Sequence, residues 1–239
     1  MSLFDFHVHS HYSRDANMVP ENLVRVAQKK GLRGVAITDH NTIAGGVKAK
    51  KTCGSHCFVV VGAEIRTEAC EIIGLFLSDE VSSTDPFAVI DEIRDQDGIT
   101  VLPHPFRSMF PPHAPRRRGI PRALLEKIDV VEAFNARSTV RANQQARALA
   151  STLGKPMIAG SDAHWYREVG RGNTLVAPFT NEEDLRQHLL AGRTRIEDAR
   201  NTFPQSTPFL VLSALYGRVR RLSQRRKVGN HLQRPVTKT

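Results

Sequence analysis

Short runs of aliphatic and β-branched residues alternate along the chain with stretches whose apolar positions recur every three to four residues. The short runs predict strands at Leu3–Val8, Gly34–Thr38, Phe58–Gly62, Glu71–Leu77, Thr100–Leu102, Ile128–Ala133, Met157–Ala159 and Thr174–Ala177. Helices with readable ends fall between several of them. Pro20-Glu21 opens one that stops at Gly31, and Asp85-Pro86 opens another that ends near Gly98. Proline suits a first turn, and glycine suits the position just past a last one. Ser138 begins a long helix closed by Gly154, and Thr180 caps Asn181–Ala191 ahead of Gly192. Met109–Pro121, rich in proline and arginine, reads as an irregular loop. Nearly continuous apolar strands in repeating βα order imply an α/β fold with a mainly parallel sheet, open or closed.

The polar residues with chemical reach fall at the ends of these strands. His7 and His9 end the first, Asp39 and His40 directly follow the second, Glu64 follows the third, and His104 follows Thr100–Leu102. Glu132 lies inside VVEAF with Asn135 just beyond it, and Asp162 and His164 follow MIAGS. A barrel enzyme gathers its chemistry at C-terminal strand ends, because there the loops converge on one cleft. A histidine or carboxylate at six separate strand ends therefore points to one shared site. On a strand, His7 and His9 project from one face with backbones about 7 Å apart, close enough to share an ion. Asp162 and His164 repeat that spacing. Imidazole nitrogens with carboxylate oxygens and no thiolate form the mixed donor set used by zinc, manganese and iron. A carboxylate such as Glu64 can bridge two ions. His7, His9, Asp15, His40, Glu64, His104, Glu132, Asp162 and His164 together suffice for two or three divalent metal ions.

Composition narrows the class. A chain of 239 residues, 40% of them hydrophobic, fits one large domain or two small ones and excludes a mainly disordered protein. No stretch approaches the roughly 18 apolar residues of a membrane span. The start, MSLFDFHVHSHYSRD, has neither the basic nor the apolar region of a secretory signal. Cys53, Cys57 and Cys70 are too few and too irregular for a disulfide framework, and the CxxxC pair around His56 has no second pair to complete a zinc site. We therefore expect a cytoplasmic protein with reduced cysteines and no membrane partner. The net charge of +10 is local: no acidic residue follows Asp198, and every charge from Arg218 to Lys238 is positive. Within Pro208–Leu222, the residues Phe209, Leu212, Leu215, Val219 and Leu222 form a helical stripe able to dock on a barrel, and the basic residues outrun it. The expected organisation is a barrel body over residues 1–200, then a C-terminal helix and basic tail over 201–239 that can contact a polyanion by counterion release.

The motifs DFHVHSHYSRD, AITDHNT, GAEI, LPHPFR, VVEAFNAR and IAGSDAH, in that order over roughly residues 3–180, resemble the PHP (polymerase and histidinol phosphatase) family of metal-dependent phosphoesterases. The resemblance implies a distorted (β/α)7, TIM-like barrel with a two- or three-metal centre at the C-terminal strand ends. It implies that His7, His9, Glu64 and Asp162 hold the first ion, with Glu64 bridging to a second. His104 and a residue of VVEAF would complete the second, and Asp15, His40 and His164 would hold the third. Many members place a His or Cys in the VVEAF position. This chain offers Glu132, with Asn135 as rival; the anion offsets metal charge better than the amide.

The implied activity is hydrolysis of a phosphate ester by a multinuclear, metal-activated water. Arginines would add bidentate donors to the phosphate oxygens. Arg107 and Arg137 are best placed for this catalytic role, ahead of Arg14, Arg66, Arg116, Arg117, Arg118 and Arg167. Asp39 is expected to orient an imidazole rather than bind metal, and His11 lies near enough to reach substrate. His56, His188 and His231 look ordinary. Glu64 and His104 are too close in sequence for a lid domain between them. An open site suits a nucleotide, the end of an oligonucleotide such as a short RNA, or a small phosphate monoester. Two other classes remain. A metal-dependent amidohydrolase also begins with HxH, but no strand-end lysine is apparent to bridge metals; Lys48, Lys50 and Lys51 fall in a helix or loop. A non-catalytic nucleic-acid-binding protein would have no use for the full set of metal-binding side chains.

Overall fold

The structure is a computed structural model that describes residues 1–54, 57–107 and 119–197. His56, Arg116, Arg117, Arg118, His231 and the stripe and basic tail beyond Pro208 lie outside the described residues, as does most of the Met109–Pro121 loop. The elements are β1 (Ser2–Val8), α1 (Pro20–Lys29), β2 (Gly34–His40), α2 (Ala44–Lys50), β3 (Phe58–Arg66), β4 (Glu71–Leu75), α3 (Pro86–Arg94), β5 (Ile99–Leu102), α4 (Arg122–Lys127), β6 (Val130–Asn135), α5 (Val140–Leu153), β7 (Met157–Gly160), β8 (Thr174–Val176), α6 (Glu182–Leu190) and β9 (Thr194–Ile196). The strands form one sheet in the order β7-β6-β5-β4-β3-β2-β1-β8-β9.

The sheet curls into a nearly closed barrel. The outer edge of β1 is shared: Ser2–Phe4 pair antiparallel with β8, whereas Val8 meets Ala163 just beyond β7. Asp162 N donates to His7 O at 2.8 Å and His9 N to Ala163 O at 2.9 Å, which joins the first strand to the seventh. Where β7 passes β8, the Thr174 hydroxyl stands in for a backbone ladder, accepting from Ala159 N at 2.7 Å and donating to Ala159 O.

The sheet is mixed, and the departures from a repeating βα barrel have local causes. β3 and β4 are joined by the turn Thr67–Cys70, closed by Thr67 N to Cys70 O and by the Thr67 hydroxyl to the same oxygen. A connection that short permits only an antiparallel hairpin, since a parallel crossover needs a dozen or more residues. β4 therefore runs against β3 and β5. With β8 and β9 also antiparallel, nine strands replace the seven of the expected barrel. Two helix starts also shift. Thr139, not Ser138, caps α5 by accepting from Ala142 N, and Asn181, not Thr180, caps α6 by accepting from Asp184 N. Gly154 ends α5 as expected, in the left-handed conformation that a side chain disfavours.

Phe4, Phe6, Ala36, Val60, Ile73, Val101, Val130 and Ile158 fill the barrel interior, with Leu185 and Leu189 of α6 packed against them. Strict alternation would place Val8 beside Phe6 and turn His7 away. Instead the β1–β2 register slips between Asp5 and Val8, so Val8 packs outward with Leu23 and Val24 of α1. His7 and His9 share the inner face above the phenylalanines. A second slip between Glu132 and Phe134 sends Phe134 to pack with Ala136 and Ala159 and leaves Glu132 and Asn135 facing the same interior. Bulges of this kind re-aim side chains beside functional sites.

Candidate metal centre

All nine metal-ligand candidates meet at the upper rim of the barrel. His7, His9, Glu64, Glu132, Asp162 and His164 are buried, and Asp15 and His40 stand at the opening with 35% and 34% of their side chains exposed. Two backbones here are left-handed, His104 with φ 28° and Asp162 with φ 54°. Non-glycine residues occupy this region at a cost of order 1–3 kcal/mol, and such strain collects at functional sites.

The innermost cluster is held by hydrogen bonds that assign its protons. His7 Nδ1 lies 3.0 Å from Glu132 Oε1, an obligate acceptor when ionised. His9 Nδ1 lies 3.2 Å from the Ser13 hydroxyl, whose own proton goes to Asp39 Oδ1 at 2.6 Å. Both Nδ1 atoms therefore donate outward, a tautomer assignment that rests on this network. The two Nε2 atoms are left facing each other 3.1 Å apart, at 3.6 and 3.5 Å from Glu64 Oε2. Asp162 Oδ1 completes the cage, 3.5 Å from His9 Nε2 and 4.0 Å from His7 Nε2. Two lone pairs so close require a positive charge between or beside them, so the donor set fits a metal cation.

Proton affinities express the same demand. Burial opposes a charge on His7, but Glu132, Glu64 and Asp162 outweigh it and hold this imidazole well above its usual value. Burial, with His164 and His40 beside it, drives His9 down to about 3. Burial would raise Glu64 and Asp162, yet His7 and His104 pull Glu64 well below the carboxylate range, and Arg107 and His7 do the same to Asp162.

A second cluster lies toward the opening. Asp15 Oδ2 is 3.3 Å from His164 Nε2 and 3.5 Å from His40 Nε2, and His40 Nδ1 is 3.0 Å from Glu64 Oε2. Asp15 Oδ1 is buried without a hydrogen-bond partner among the described residues, a second sign that the cluster suits a cation. On the other side of Glu64, His104 Nε2 is 2.9 Å from Glu64 Oε1.

Two arginines, Arg107 and Arg137, reach the cage. Arg107 pairs with Asp162 Oδ2, and its backbone N donates to His104 O at 3.0 Å. Arg137 is buried, with NH1 2.6 Å from His164 Nδ1 and 4.0 Å from Asp162 Oδ1. Arg14, Arg66 and Arg167 are exposed. His11 stacks on the exposed Tyr12 with centroids 4.7 Å apart, and His188 is held by Pro178 O. Asp39 acts through two serines. It accepts from the backbone and hydroxyl of both Ser10 and Ser13, and Ser13 carries its influence to His9 and to His40 N.

Several contributors escape a reading of strand ends. Ser13 is one. Glu168 accepts from His164 N and Trp165 N, and Asp5 accepts from Ser161 N and Gly170 N to fasten the loops that carry Asp162 and His164. Burial pushes Asp5 up to about 6. Glycines make room: a methyl group on Gly160 would overlap His7 Cβ and crowd Glu132 Oε1, and one on Gly45 would overlap Asp39 and Ser10. Glu71 is the most telling omission. It offers an oxygen within 4.8 Å of donor atoms on both Glu64 and His104. It opens β4, and because β4 is antiparallel, its first residue stands at the rim where parallel strands place their last.

Comparison with known proteins agrees with this geometry. The PHP domain family matches residues 5–118, and the PHP-associated family matches residues 140–194. An uncharacterized protein of Methanocaldococcus jannaschii is 38% identical over 145 residues, covering 55% of this chain and 81% of that one. The chain belongs to the PHP family. A second uncharacterized protein of the same organism is 33% identical over 175 residues, covering 70% of this chain and 67% of its own length. Among solved structures, a two-domain protein from Bacteroides vulgatus containing a predicted PHP-like metal-dependent phosphoesterase superposes with TM-score 0.67 at 22% identity. That match covers 82% of this chain and 64% of the two-domain protein. PsfC from Pseudomonas syringae gives TM-score 0.66 at 18% identity, covering 91% and 98%. An amidohydrolase from Chromobacterium violaceum with bound sulfate gives 0.57 at 14%, covering 82% and 99%. These structural likenesses establish the PHP fold. Among the described residues, no helix is long and apolar enough to cross a membrane.

Proposed function

We propose that this PHP protein is a phosphoesterase that hydrolyses a nucleotide, an oligonucleotide end or a small phosphate monoester with two or three divalent ions, manganese, iron or zinc. The observation that carries this reading is the facing pair of His7 and His9 Nε2 atoms, ringed by Glu64 and Asp162 with every outward proton already committed. When bound, such ions neutralise phosphate charge, acidify water and stabilise the attacking and leaving oxygens together. Within the chain, Asp39 and Ser13 fix the His9 tautomer, and Glu132 fixes that of His7. Arg107, paired with Asp162 Oδ2 and 27% exposed, is the donor suited to a phosphate oxygen. Arg137, buried against His164 and 4.0 Å from Asp162, adds positive charge beside the cage. The three free cysteines suit a reducing, cytoplasmic setting.

The amidohydrolase among the structural neighbours raises the competing chemistry. Lys48 and Lys50 pair with Glu21 and Glu182 at the surface rather than with a residue of the cage. Elemental analysis of the purified protein, followed by a phosphate-release screen with Mn²⁺, tests the proposal. Bound divalent metal with release from phosphate esters supports it. Metal with turnover of amides alone, or no bound metal, defeats it.

A further inference from the structure

Between His164 and β8 the chain runs through consecutive turns without helix or strand. Glu168 N donates to Trp165 O at 2.9 Å and Arg171 N to Glu168 O at 3.1 Å, but among the described residues no backbone N–H reaches the carbonyls of Tyr166 or Val169. Lys30 meets them from outside the segment. Its Nζ donates to Tyr166 O at 3.3 Å, Arg167 O at 3.0 Å and Val169 O at 2.7 Å, so the three N–H bonds of one ammonium serve three carbonyls. Lys30 closes α1, where its own N bonds Val26 O and Ala27 O. A lysine at a helix C-terminus ordinarily serves the last carbonyls of that helix. This one instead reaches carbonyls far along the chain.

What Lys30 holds leads to the outer half of the metal centre. Two of its acceptors, Arg167 O and Val169 O, flank Glu168. The buried Glu168 carboxylate in turn accepts from His164 N at 2.9 Å and Trp165 N at 3.2 Å. The tie therefore fixes the residue that fixes the His164 backbone, and His164 Nε2 faces Asp15 in the outer cluster. Burial and the neighbouring Arg171 lower the proton affinity of Lys30, while Asp5 and Glu168 favour its charge, so Glu168 meets Lys30 by field as well as by backbone. The inner donors have supports of their own: Asp162 N bonds His7 O, and Asp5 accepts from Ser161 N.

We propose that Lys30 is a positioning residue for the outer ion: its ammonium holds segment 166–169 so that Glu168 keeps His164 aimed at the position shared with Asp15 and His40. This rests on the metal-centre reading above and deepens it. The test is Mn²⁺ binding to the full chain by equilibrium dialysis, with free ion followed by electron paramagnetic resonance; the outer ion is identified as the one lost in Asp15→Asn. Lys30→Met keeps the stem and removes the donors. It should weaken the outer ion by about 10-fold and leave inner affinity at the wild-type value. Glu168→Ala should give the same pattern, and the double variant should lose no more than either single one, because both act on His164 along one path. Lys30→Cys should behave like Lys30→Met. Aminoethylation, which restores an ammonium at nearly the same reach, should rescue it, with aminoethylated wild type as control; carboxamidomethylation should not. Unchanged binding, equal weakening of inner and outer ions, additive losses in the double variant, or rescue by both reagents alike overturns the inference. If Lys30→Met does not fold, Lys30→Arg is read in its place. It keeps the charge, but a planar fork cannot meet three carbonyls grouped around one nitrogen, so the outer ion alone should weaken. A wild-type chain that takes up no Mn²⁺ sinks the metal-centre reading and this inference with it. A metal-bearing wild type with the wrong variant pattern sinks only the inference.

Discussion

The two halves of the metal centre are built from the same donors but on different terms. In the inner half, His7, His9, Glu64 and Asp162 are buried, and each imidazole is locked by a carboxylate, directly through Glu132 or through Ser13 and Asp39. In the outer half, Asp15 and His40 are about one-third exposed, and Asp15 keeps one oxygen unbonded among the described residues. Orientation bonds made before binding remove the ordering cost of gathering ligands. The inner half should therefore bind first and tightest, and the outer half should exchange its ion readily.

The strongest way to break this contrast is to remove an inner ligand and an outer one in parallel. Asp162→Asn should cut phosphate-ester turnover by more than roughly 100-fold and lower total metal content, whereas Asp15→Asn should cost about 10-fold with the inner metal retained. Equal losses of metal in the two variants, read by elemental analysis after dialysis, would erase the distinction. Gly160→Ala comes next. The added methyl overlaps His7 Cβ, so repacking should destabilise the fold by about 1–3 kcal/mol in urea unfolding and weaken inner-site metal binding. Unchanged stability would mean that β7 does not press on His7 in solution. Asp39→Asn should act more gently. It weakens the bonds to Ser10 and Ser13 and should lower inner metal affinity by about 10-fold, with a smaller effect on the outer ion, because His40 N also donates to Ser13. An effect confined to the outer ion would reverse the assignment of that relay. Smallest of all, truncation after Gly217 should leave turnover of a nucleoside monophosphate nearly unchanged. The same truncation should weaken binding to a short RNA and flatten its salt dependence. Equal response of both substrates would make the tail a solvated end rather than a polyanion clamp.

The sequence made the parallel part of the barrel legible, because each parallel strand delivers its donor at its C-terminal end, as His7, His40 and Asp162 show. It hid what antiparallel strands deliver. Glu71 begins β4, and a search of strand ends looks past it, though the tight Thr67–Cys70 turn is the local sign that the chain reverses there. Glu132 illustrates a different gap. Residue type and spacing reveal which atoms can bind a metal, but not which lone pairs are already engaged, and those engagements come from His7 and His104 on other strands. The bulges were hidden for a related reason. Whether Val8 or His7 faces inward depends on register against β2, a tertiary property that strict alternation cannot supply.

At the seam where the first strand meets the seventh, a bound ion would join two distant parts of the chain. Asp5 and Ser161, bonded across that seam, are 156 residues apart in sequence, and three of the inner donors divide between the same two segments, His7 and His9 on one side and Asp162 on the other. An ion seated there would work like a clasp on a necklace, closing one of the long contours of the barrel, where loop-closure entropy is unfavourable. Ligands that bind only the closed form add their binding free energy to its stability. The backbone bonds from Asp162 to His7 and from His9 to Ala163 would then belong to the part of the barrel whose opening a bound metal would oppose most directly.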